Sequence, residues 1–487
     1  MIPELPPEQR VERAPSQPIT SAVGEPSALA VLRNRPFLLL WLSQAATQIG
    51  GNMVIFGLTF IIFSSTNSSA AVSGLLLTFL VPSVLFSAVA GVYVDRLDRR
   101  RILVVTNLIR AAAFGAMLLV GDHLLLLYLL NTLVAIASTL FAPAEAAMIP
   151  RLVPRSQLLA ANGIFTLTLN AAFPIGFALL GGIVVNLAGA PALLMLVALL
   201  YLVAAGFCYT LPPAPPAEEG DREHPTVLGA VHDAEQAVGS TFGQLSEGID
   251  FIRQNRSVSW SLVYLGVTAS LIGVLGSLGP GFASKTLGLN PKDIVVVVLP
   301  MGFGIVMGLL LLNSYGRLLP RRRLIEGGLI SLGVLIVLLS LAGPITRFLQ
   351  RVQTASRLVD PSSLVSLLAV VVAIAILTGI AYAIVAISSQ TQLQEDLPAD
   401  VRGRVYGVLF TLISVASFVP IIVVGPIADI VGTTPVILLV GILTTLAGAA
   451  SVVSHRGTST GATLPPIAPP EPSDRMTLAT EDDERRD

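Results

Sequence analysis

Twelve stretches of this chain are long and apolar enough to cross a lipid bilayer as helices. A bilayer core about 30 Å thick requires roughly 20 mostly apolar residues per helix. Only 12% of the residues are charged and the mean hydropathy is +0.80, which excludes an ordinary soluble enzyme, a nucleic-acid binder and a disordered scaffold. The stretches lie at about 37–64, 72–94, 102–121, 124–144, 158–186, 190–211, 258–284, 293–318, 323–344, 363–388, 404–430 and 433–454.

All twelve stretches are predicted to be α-helices. Only helices satisfy their own backbone hydrogen bonds in lipid, and the short alternating segments of a membrane barrel are absent from the sequence. The single cysteine, Cys208, excludes an internal disulfide, and the four histidines fall in predicted loops or tails. We therefore expect no metal and no cofactor, and the net charge of −1 offers no attraction to nucleic acid.

Basic residues predict the orientation. Loops between spans 2–3, 4–5, 8–9 and 10–11 hold twelve arginines, whereas the loops on the other side hold five basic residues. Because cytoplasmic loops carry the excess of Lys and Arg, the first set is expected inside, with both termini also cytoplasmic. The expected location is the plasma (inner) membrane.

A polar segment at 212–257 separates six spans from six. It opens on a proline-rich run, Leu211-Pro212-Pro213-Ala214-Pro215-Pro216, and its end at 242–252 has the apolar spacing of a surface helix. The predicted organisation is a disordered tail at 1–30, a six-helix bundle at 31–211, the linker at 212–257, a second bundle at 258–455 and a disordered tail at 456–487.

The two halves repeat one another at a fixed offset. Pro154, Gly163 and Gly181 in the first half correspond to Pro398, Gly407 and Gly425 in the second, each 244 residues later. Two six-helix halves in one orientation favour alternating access, in which one bundle rocks against the other around a site near the membrane midplane.

The loop after span 2 carries a motif, Gly91-Val92-Tyr93-Val94-Asp95-Arg96-Leu97-Asp98-Arg99-Arg100-Arg101. A glycine, an Asp-Arg pair and a basic cluster in this loop resemble the signature of the major facilitator superfamily. Pro143-Ala144 after span 4 and Arg402-Gly403-Arg404 before span 11 resemble the branch of macrolide-efflux proteins and the enterobactin exporter. The resemblance implies two pseudo-symmetric six-helix bundles and an efflux transporter, and it implies no particular substrate.

The same loop has a physical rationale of its own. Asp95, at the end of span 2, can pair with a basic group or cap a neighbouring helix, and so hold the cytoplasmic side closed. The predicted cytoplasmic gate comprises Gly91, Asp95, Arg96, Arg99 and Arg100. The simpler alternative is that these arginines only anchor the loop inside.

Arg110 is the one charge deep in a predicted span. A central arginine costs at least about 2.5–3.5 kcal/mol on insertion scales, so it must face a cavity or a partner. Glu145, toward the cytoplasmic end of span 4, is the expected counter-ion. A purely structural ion pair between spans 3 and 4, or contact with an anionic substrate, are the alternatives.

Amides spaced four residues apart form a polar stripe on span 1, at Gln44, Gln48 and Asn52. Such amides either bond neighbouring helices together or line a wet pathway, and we expect them to line a cavity. Asn170 and Tyr382 are further candidates for that lining. The Gly304-xxx-Gly308 spacing in span 8 predicts a close approach between helices.

These features predict a secondary active transporter that exports an amphipathic or lipophilic small molecule. Protons are the candidate coupling ion, a monomer is expected, and the sequence contains no catalytic motif. An importer of a small solute and a non-transporting membrane scaffold of the same fold are the alternatives.

Overall fold

The computed structural model describes the backbone of residues 28–215, 256–288, 290, 295–316, 320–356, 362–396 and 402–456. Most of the predicted linker, including its surface helix, and nearly all of both predicted tails lie outside these residues. The described residues form helices and turns and contain no β-strand.

Thirteen α-helices follow in the described chain: α1 (Ala28–Leu32), α2 (Arg35–Thr66), α3 (Ser69–Arg96), α4 (Arg99–Val120), α5 (Leu124–Leu152), α6 (Leu158–Ala172), α7 (Gly182–Tyr209), α8 (Arg256–Gly281), α9 (Val295–Tyr315), α10 (Arg321–Ser356), α11 (Ser362–Asp396), α12 (Arg402–Val431) and α13 (Thr433–Arg456). Two π-helical segments, Phe173–Gly181 and Phe282–Thr286, extend α6 and α8.

The long run from α6 to α7 contains two membrane passes. Gly189 breaks it with φ 85° and ψ 169°, and Pro191 follows two residues later. A φ this positive is accessible to glycine at little cost, which lets the chain reverse without a loop. The break falls between the predicted spans 158–186 and 190–211, where the sequence places the turn.

Ten helical segments within the described residues are long and apolar enough to cross a membrane. One of them, Arg155–Tyr209, holds the two passes divided at Gly189, and α12 supplies the remaining pass with its apolar part at Ser417–Val431. The predicted all-α fold with twelve membrane helices is confirmed.

The helices pack as two groups. In the first bundle α2 and α4 pack on α7, while α3 and α4 pack on α5; in the second, α9 packs on α11, α10 on α11 and α13, and α8 on α12. Phe114, Leu193 and Val197 lie in the core of the first bundle, and Leu278 and Ile336 in that of the second. In lipid, such van der Waals packing replaces the hydrophobic effect as the main force between helices.

The two ends of the bundles differ in charge. We call the end that carries Arg96, Arg99, Arg151 and Arg321 the arginine-rich face. The opposite end, which we call the far face, carries the turns at 67–68, 121–123 and 432.

Helices α9 and α11 approach one another at glycines, which confirms the prediction from the Gly304-xxx-Gly308 spacing. A Cβ on Gly304 would collide with the carbonyl oxygen of Ile376, and one on Gly379 with that of Met301. At Gly308 a Cβ would lie 2.8 Å from the Cβ of Ala383. The two backbones are therefore in direct contact, as is common where small residues line a membrane interface.

Replacing Gly304 by valine is expected to destabilise the second bundle by about 1–3 kcal/mol or more, because overpacking here must move a backbone. Thermal unfolding of the detergent-solubilised protein measures the loss. Gly115→Ala is the control, since a Cβ at that position meets nothing within 4 Å. Equal stability of the two variants would contradict the close approach.

Candidate functional site

A large cavity lies between the two bundles. Its volume is about 1100 Å³, slightly above the roughly 300–1,000 Å³ of typical ligand pockets. Along α3 the lining runs from Leu75 to Gly91, about 24 Å of helix at 1.5 Å per residue. The cavity therefore extends from the middle of the fold toward the arginine-rich face.

The wall of the cavity is largely aliphatic and aromatic. Phe56, Phe173 and Phe177 form a cluster on it, with ring centroids 5.4 Å apart for Phe56–Phe177 and 5.3 Å for the stacked pair Phe173–Phe177. Arg110 and Glu145 are the only charged side chains among the described lining residues. Such a wall suits an apolar ligand with a small number of polar contacts.

Arg110 is held by its own bundle. Its side chain is buried, and its guanidinium donates to the Asn107 Oδ1 at 2.6 Å and to the Thr106 carbonyl oxygen at 3.3 Å. The guanidinium also lies 4.2 Å from the ring centroid of Phe141 and 4.8 Å from that of Tyr201. Two aromatic faces and an amide therefore stabilise this charge within the membrane.

Glu145 has a different environment. Its side chain is 7% exposed and lines the cavity, and its Oε1 has no hydrogen-bond partner among the described residues. Glu145 is the acidic group that acts electrostatically on Arg110, yet the two side chains, both in the described part of the chain, form no direct ion pair. A buried carboxylate oxygen without a partner is costly, so it is available to a donor that enters the cavity.

Tyr201 on α7 completes this group, and the sequence did not single it out. Its hydroxyl donates to the Thr47 carbonyl oxygen at 3.1 Å, and its ring lies 5.1 Å from that of Phe114. Tyr201 thereby connects α2, α4 and α7 beside the cavity. An arginine deep in a span needs an aromatic or acidic neighbour on a facing helix. That requirement of Arg110 was the one sign in the sequence of a residue such as Tyr201.

The amide stripe on α2 divides between the cavity and the bundle. Gln48 and Asn52 line the cavity, and the Asn52 Nδ2 donates to the Gln48 carbonyl oxygen at 2.8 Å. Gln44 is buried and does not belong to the described lining. Residues four apart rotate by about 40° per step around a helix, so a stripe of three amides drifts away from one face.

Tyr382 lines the cavity from α11. Asn170 lies on α6, and its side chain falls outside the described part of the structure. Asn131, which also lines the cavity, donates to the Thr78 Oγ1 at 2.9 Å and so ties α5 to α3.

The loop motif lies at the arginine-rich face. Gly91 is the lining residue nearest that end of α3, and Arg96 is exposed at the end of the helix. The Arg100 guanidinium hydrogen-bonds the carbonyl oxygen of Tyr209 and lies 5.0 Å from its ring centroid, and the Arg99 N–H donates to the Ala214 carbonyl oxygen at 3.2 Å. These contacts join the loop to the end of α7.

Asp98, rather than a residue of the predicted gate, caps the helix that follows this loop. Its carboxylate accepts hydrogen bonds from the backbone N–H of Arg100 at 2.9 Å and of Arg101 at 3.4 Å. The side chain of Asp95 lies outside the description, so its predicted capping role stays a prediction.

A second buried carboxylate lies in the other bundle and was not predicted. Glu326 on α10 accepts from the Arg322 Nε at 2.9 Å and from the Ser451 Oγ at 3.2 Å. The Ser451 hydroxyl also hydrogen-bonds Tyr264 at 2.5 Å. This network ties α8, α10 and α13 together near the arginine-rich face and stands apart from the cavity lining.

Two six-helix bundles around a central, largely apolar cavity with two buried charges define a multi-pass membrane transporter. Residues 40–421 match the Major Facilitator Superfamily, and the chain belongs to that family. The resemblance noted from the loop motif is thereby confirmed.

Characterised relatives match nearly the whole chain at low identity. Macrolide efflux protein A of Streptococcus pyogenes is 24% identical over 414 residues, covering 84% of this chain and 93% of that protein. Multidrug efflux pump Tap of Mycolicibacterium fortuitum is 21% identical over 433 residues, covering 86% and 96%.

Solved structures of the same fold include transporters of distant sequence. The nucleoside transporter NupG aligns with a TM-score of 0.61 at 13% identity, covering 86% of this chain and 98% of its own. The POT family transporter PepTSo aligns with a TM-score of 0.61 at 13% identity, covering 88% and 99%. At these identities the likeness establishes the fold alone.

Proposed function

We propose that this protein is a secondary active exporter of amphipathic or lipophilic small molecules that works by alternating access. The observation that carries the proposal is the large cavity between the bundles, whose apolar wall holds one unpartnered carboxylate oxygen. Apolar compounds fit such a wall, whereas sugars need many hydrogen-bond partners. The names of the relatives, a macrolide efflux protein and a multidrug efflux pump, point to the same direction and class.

The wall residues have separate roles in this proposal. Glu145 binds the positively charged end of a substrate. When the substrate leaves, the same carboxylate takes up a proton, and this exchange couples export to the proton gradient. Gln48, Asn52 and Tyr382 contact the polar parts of the substrate, with Gln44 and Asn170 as further candidates. Burial favours the protonated form of Glu145 and Arg110 favours the ionised form, so this carboxyl can exchange a proton.

The gate belongs to the same proposal. Gly91, Asp95, Arg96, Arg99 and Arg100 hold the arginine-rich face closed when the cavity opens to the other side. The excess of basic residues supports a cytoplasmic location for this face, and the proposal has both termini inside and the protein in the plasma (inner) membrane. The bundle pair is complete in one chain, so a monomer suffices.

Uptake into energised inside-out vesicles tests the proposal. Vesicles that contain the protein are expected to accumulate lipophilic amines and dyes, because export from a cell corresponds to uptake into such a vesicle. An uncoupler should abolish the accumulation, and Asp95→Asn should reduce it by at least tenfold if the gate carries that residue's charge. Asp122→Asn, at an exposed far-face turn, is the matched control.

Accumulation that resists the uncoupler would overturn the coupling to an ion gradient. Uptake only into right-side-out vesicles would favour an importer. Failure to move any compound, with the protein inserted and monodisperse, would favour the scaffold.

A further inference from the structure

The turn between α2 and α3 is held from the second bundle by two opposite charges. Asp429, near the end of α12, accepts hydrogen bonds from the Ser68 hydroxyl at 2.6 Å, the Ser69 N–H at 2.8 Å and the Ala70 N–H at 3.0 Å. These two N–H groups belong to the first turn of α3 and have no partner within the helix. Asp429 therefore caps a helix of the other bundle.

Lys285 holds the other side of the same turn. Its Nζ donates to the carbonyl oxygen of Asn67 at 3.3 Å, and it lies 5.7 Å from the ring centroid of Phe63. Asn67 is the left-handed C-cap of α2, with φ 51°. A cation therefore lies at the C-terminus of α2 and an anion at the N-terminus of α3, which is the arrangement that both helix dipoles favour.

Helix packing brings the bundles together at this level. A Cβ on Gly425, one turn before Asp429, would lie 2.8 Å from the Ser69 carbonyl oxygen and 2.9 Å from the Cα of Ala70. A Cβ on Gly281 would lie 3.1 Å from the Ser69 Oγ. The backbones of α3 and α12 are in contact at the far face, so the cavity is closed at this end.

We propose that Asp429 and Lys285 form a releasable clamp that stabilises the conformation with the far face closed. The inference rests on the proposed alternating access, because the bundles must part here for the cavity to open to the far face. Both charged side chains are exposed. Water can therefore replace their contacts at modest cost, which allows the clamp to open during each cycle.

Distances between spin labels test the clamp directly, without any substrate. On a Cys208→Ser background, one label pair at Asp122 and Val431 spans the far face, and another at Ser156 and Arg323 spans the arginine-rich face. In lipid nanodiscs, Asp429→Asn is expected to lengthen the first distance and shorten the second. The population ratio of the two states should shift by about 2- to 5-fold, the scale of losing a negative charge at a helix N-terminus.

Two further variants weaken the same contact between the bundles in different ways. Lys285→Gln removes the other charge, and Gly425→Ala inserts a methyl group between α3 and α12; both are expected to shift the populations in the same direction. Asp98→Asn is the matched control, because Asp98 caps α4 within a single bundle. It should leave the far-face distance unchanged.

The outcomes separate the clamp from the proposed function. A shift in distances in a protein that moves no compound supports the clamp and overturns only the export proposal. Unchanged distances in Asp429→Asn and Lys285→Gln, in a protein that does transport, overturn the clamp. A far face that opens equally in Asp98→Asn would also overturn it, because the effect would then not depend on contact between the bundles.

Discussion

Replacing Glu145 by glutamine is expected to weaken the binding of protonated lipophilic amines by about 10- to 150-fold. The variant keeps the size of the side chain and removes the charge that would meet the ammonium group. A hydrogen bond to a charged group contributes about 1.5–3 kcal/mol, and each 1.4 kcal/mol is tenfold in affinity. Uncoupler-sensitive accumulation should be lost as well, because the glutamine amide does not gain or lose a proton in this pH range.

Fluorescence titration of the purified protein in detergent measures this change with a pair of matched ligands. One is a dye with a protonated tertiary amine, and the other is its neutral isostere, whose binding should change less than threefold. Thr139→Val is the control variant, because Thr139 lines the same wall and its hydroxyl is already bonded to the Ala135 carbonyl oxygen at 2.9 Å. Equal losses for the two ligands would show that Glu145 supports the shape of the wall rather than recognising charge.

The membrane fold was predictable because its determinants are long and redundant. Each span repeats the same apolar requirement over about 20 residues. The predicted spans 158–186 and 190–211 leave a gap that contains Gly189, where the chain reverses, and the Gly304-xxx-Gly308 spacing predicts a close approach of helices, which the structure shows between α9 and α11. The positions of this reversal and of this contact depend on a few residues whose backbone preferences are strong.

The candidate site was predictable only where a residue conflicts with its surroundings. Arg110 and Glu145 stand out because a charge within an apolar span requires an explanation. Tyr201 does not, since tyrosine is common in such spans and only the fold places it against Arg110 and Thr47. Gln44 shows a second limit, because four-residue spacing alone does not determine which way each residue of a helix faces.

The far-face clamp was hidden for a similar reason. Asp429 lies at the end of a predicted span and Lys285 in a loop, where charged residues are ordinary. Their partners, Asn67 and Ser69, are separated from them by more than 200 residues in sequence. Contacts of that kind depend on how two bundles dock, and no local pattern encodes them.

Replacing Arg110 by leucine is expected to produce the largest loss of stability of any substitution considered. Arg110 is 3% exposed, and removing it leaves the carboxylate of Glu145 and the Oδ1 of Asn107 buried without their cation. Deleting one partner of a buried pair in direct contact costs about 3–5 kcal/mol, and that figure is the upper bound for these two separated charges. The leucine also forfeits the contacts of the guanidinium with the rings of Phe141 and Tyr201.

A double-mutant cycle measures how much of this loss comes from Glu145. The double variant Arg110→Leu with Glu145→Leu is expected to be more stable than Arg110→Leu alone, because the uncompensated carboxylate is gone. The variants are heated in detergent, and the temperature at which each one loses its monodisperse form compares their stabilities. Arg101→Leu is the control, since that side chain is 85% exposed and should change the stability by less than about 0.5 kcal/mol. Glu145→Leu alone completes the cycle: if the losses of the two single variants add up to that of the double variant, the two charges are not coupled, and Arg110 acts through Asn107, Phe141 and Tyr201 alone.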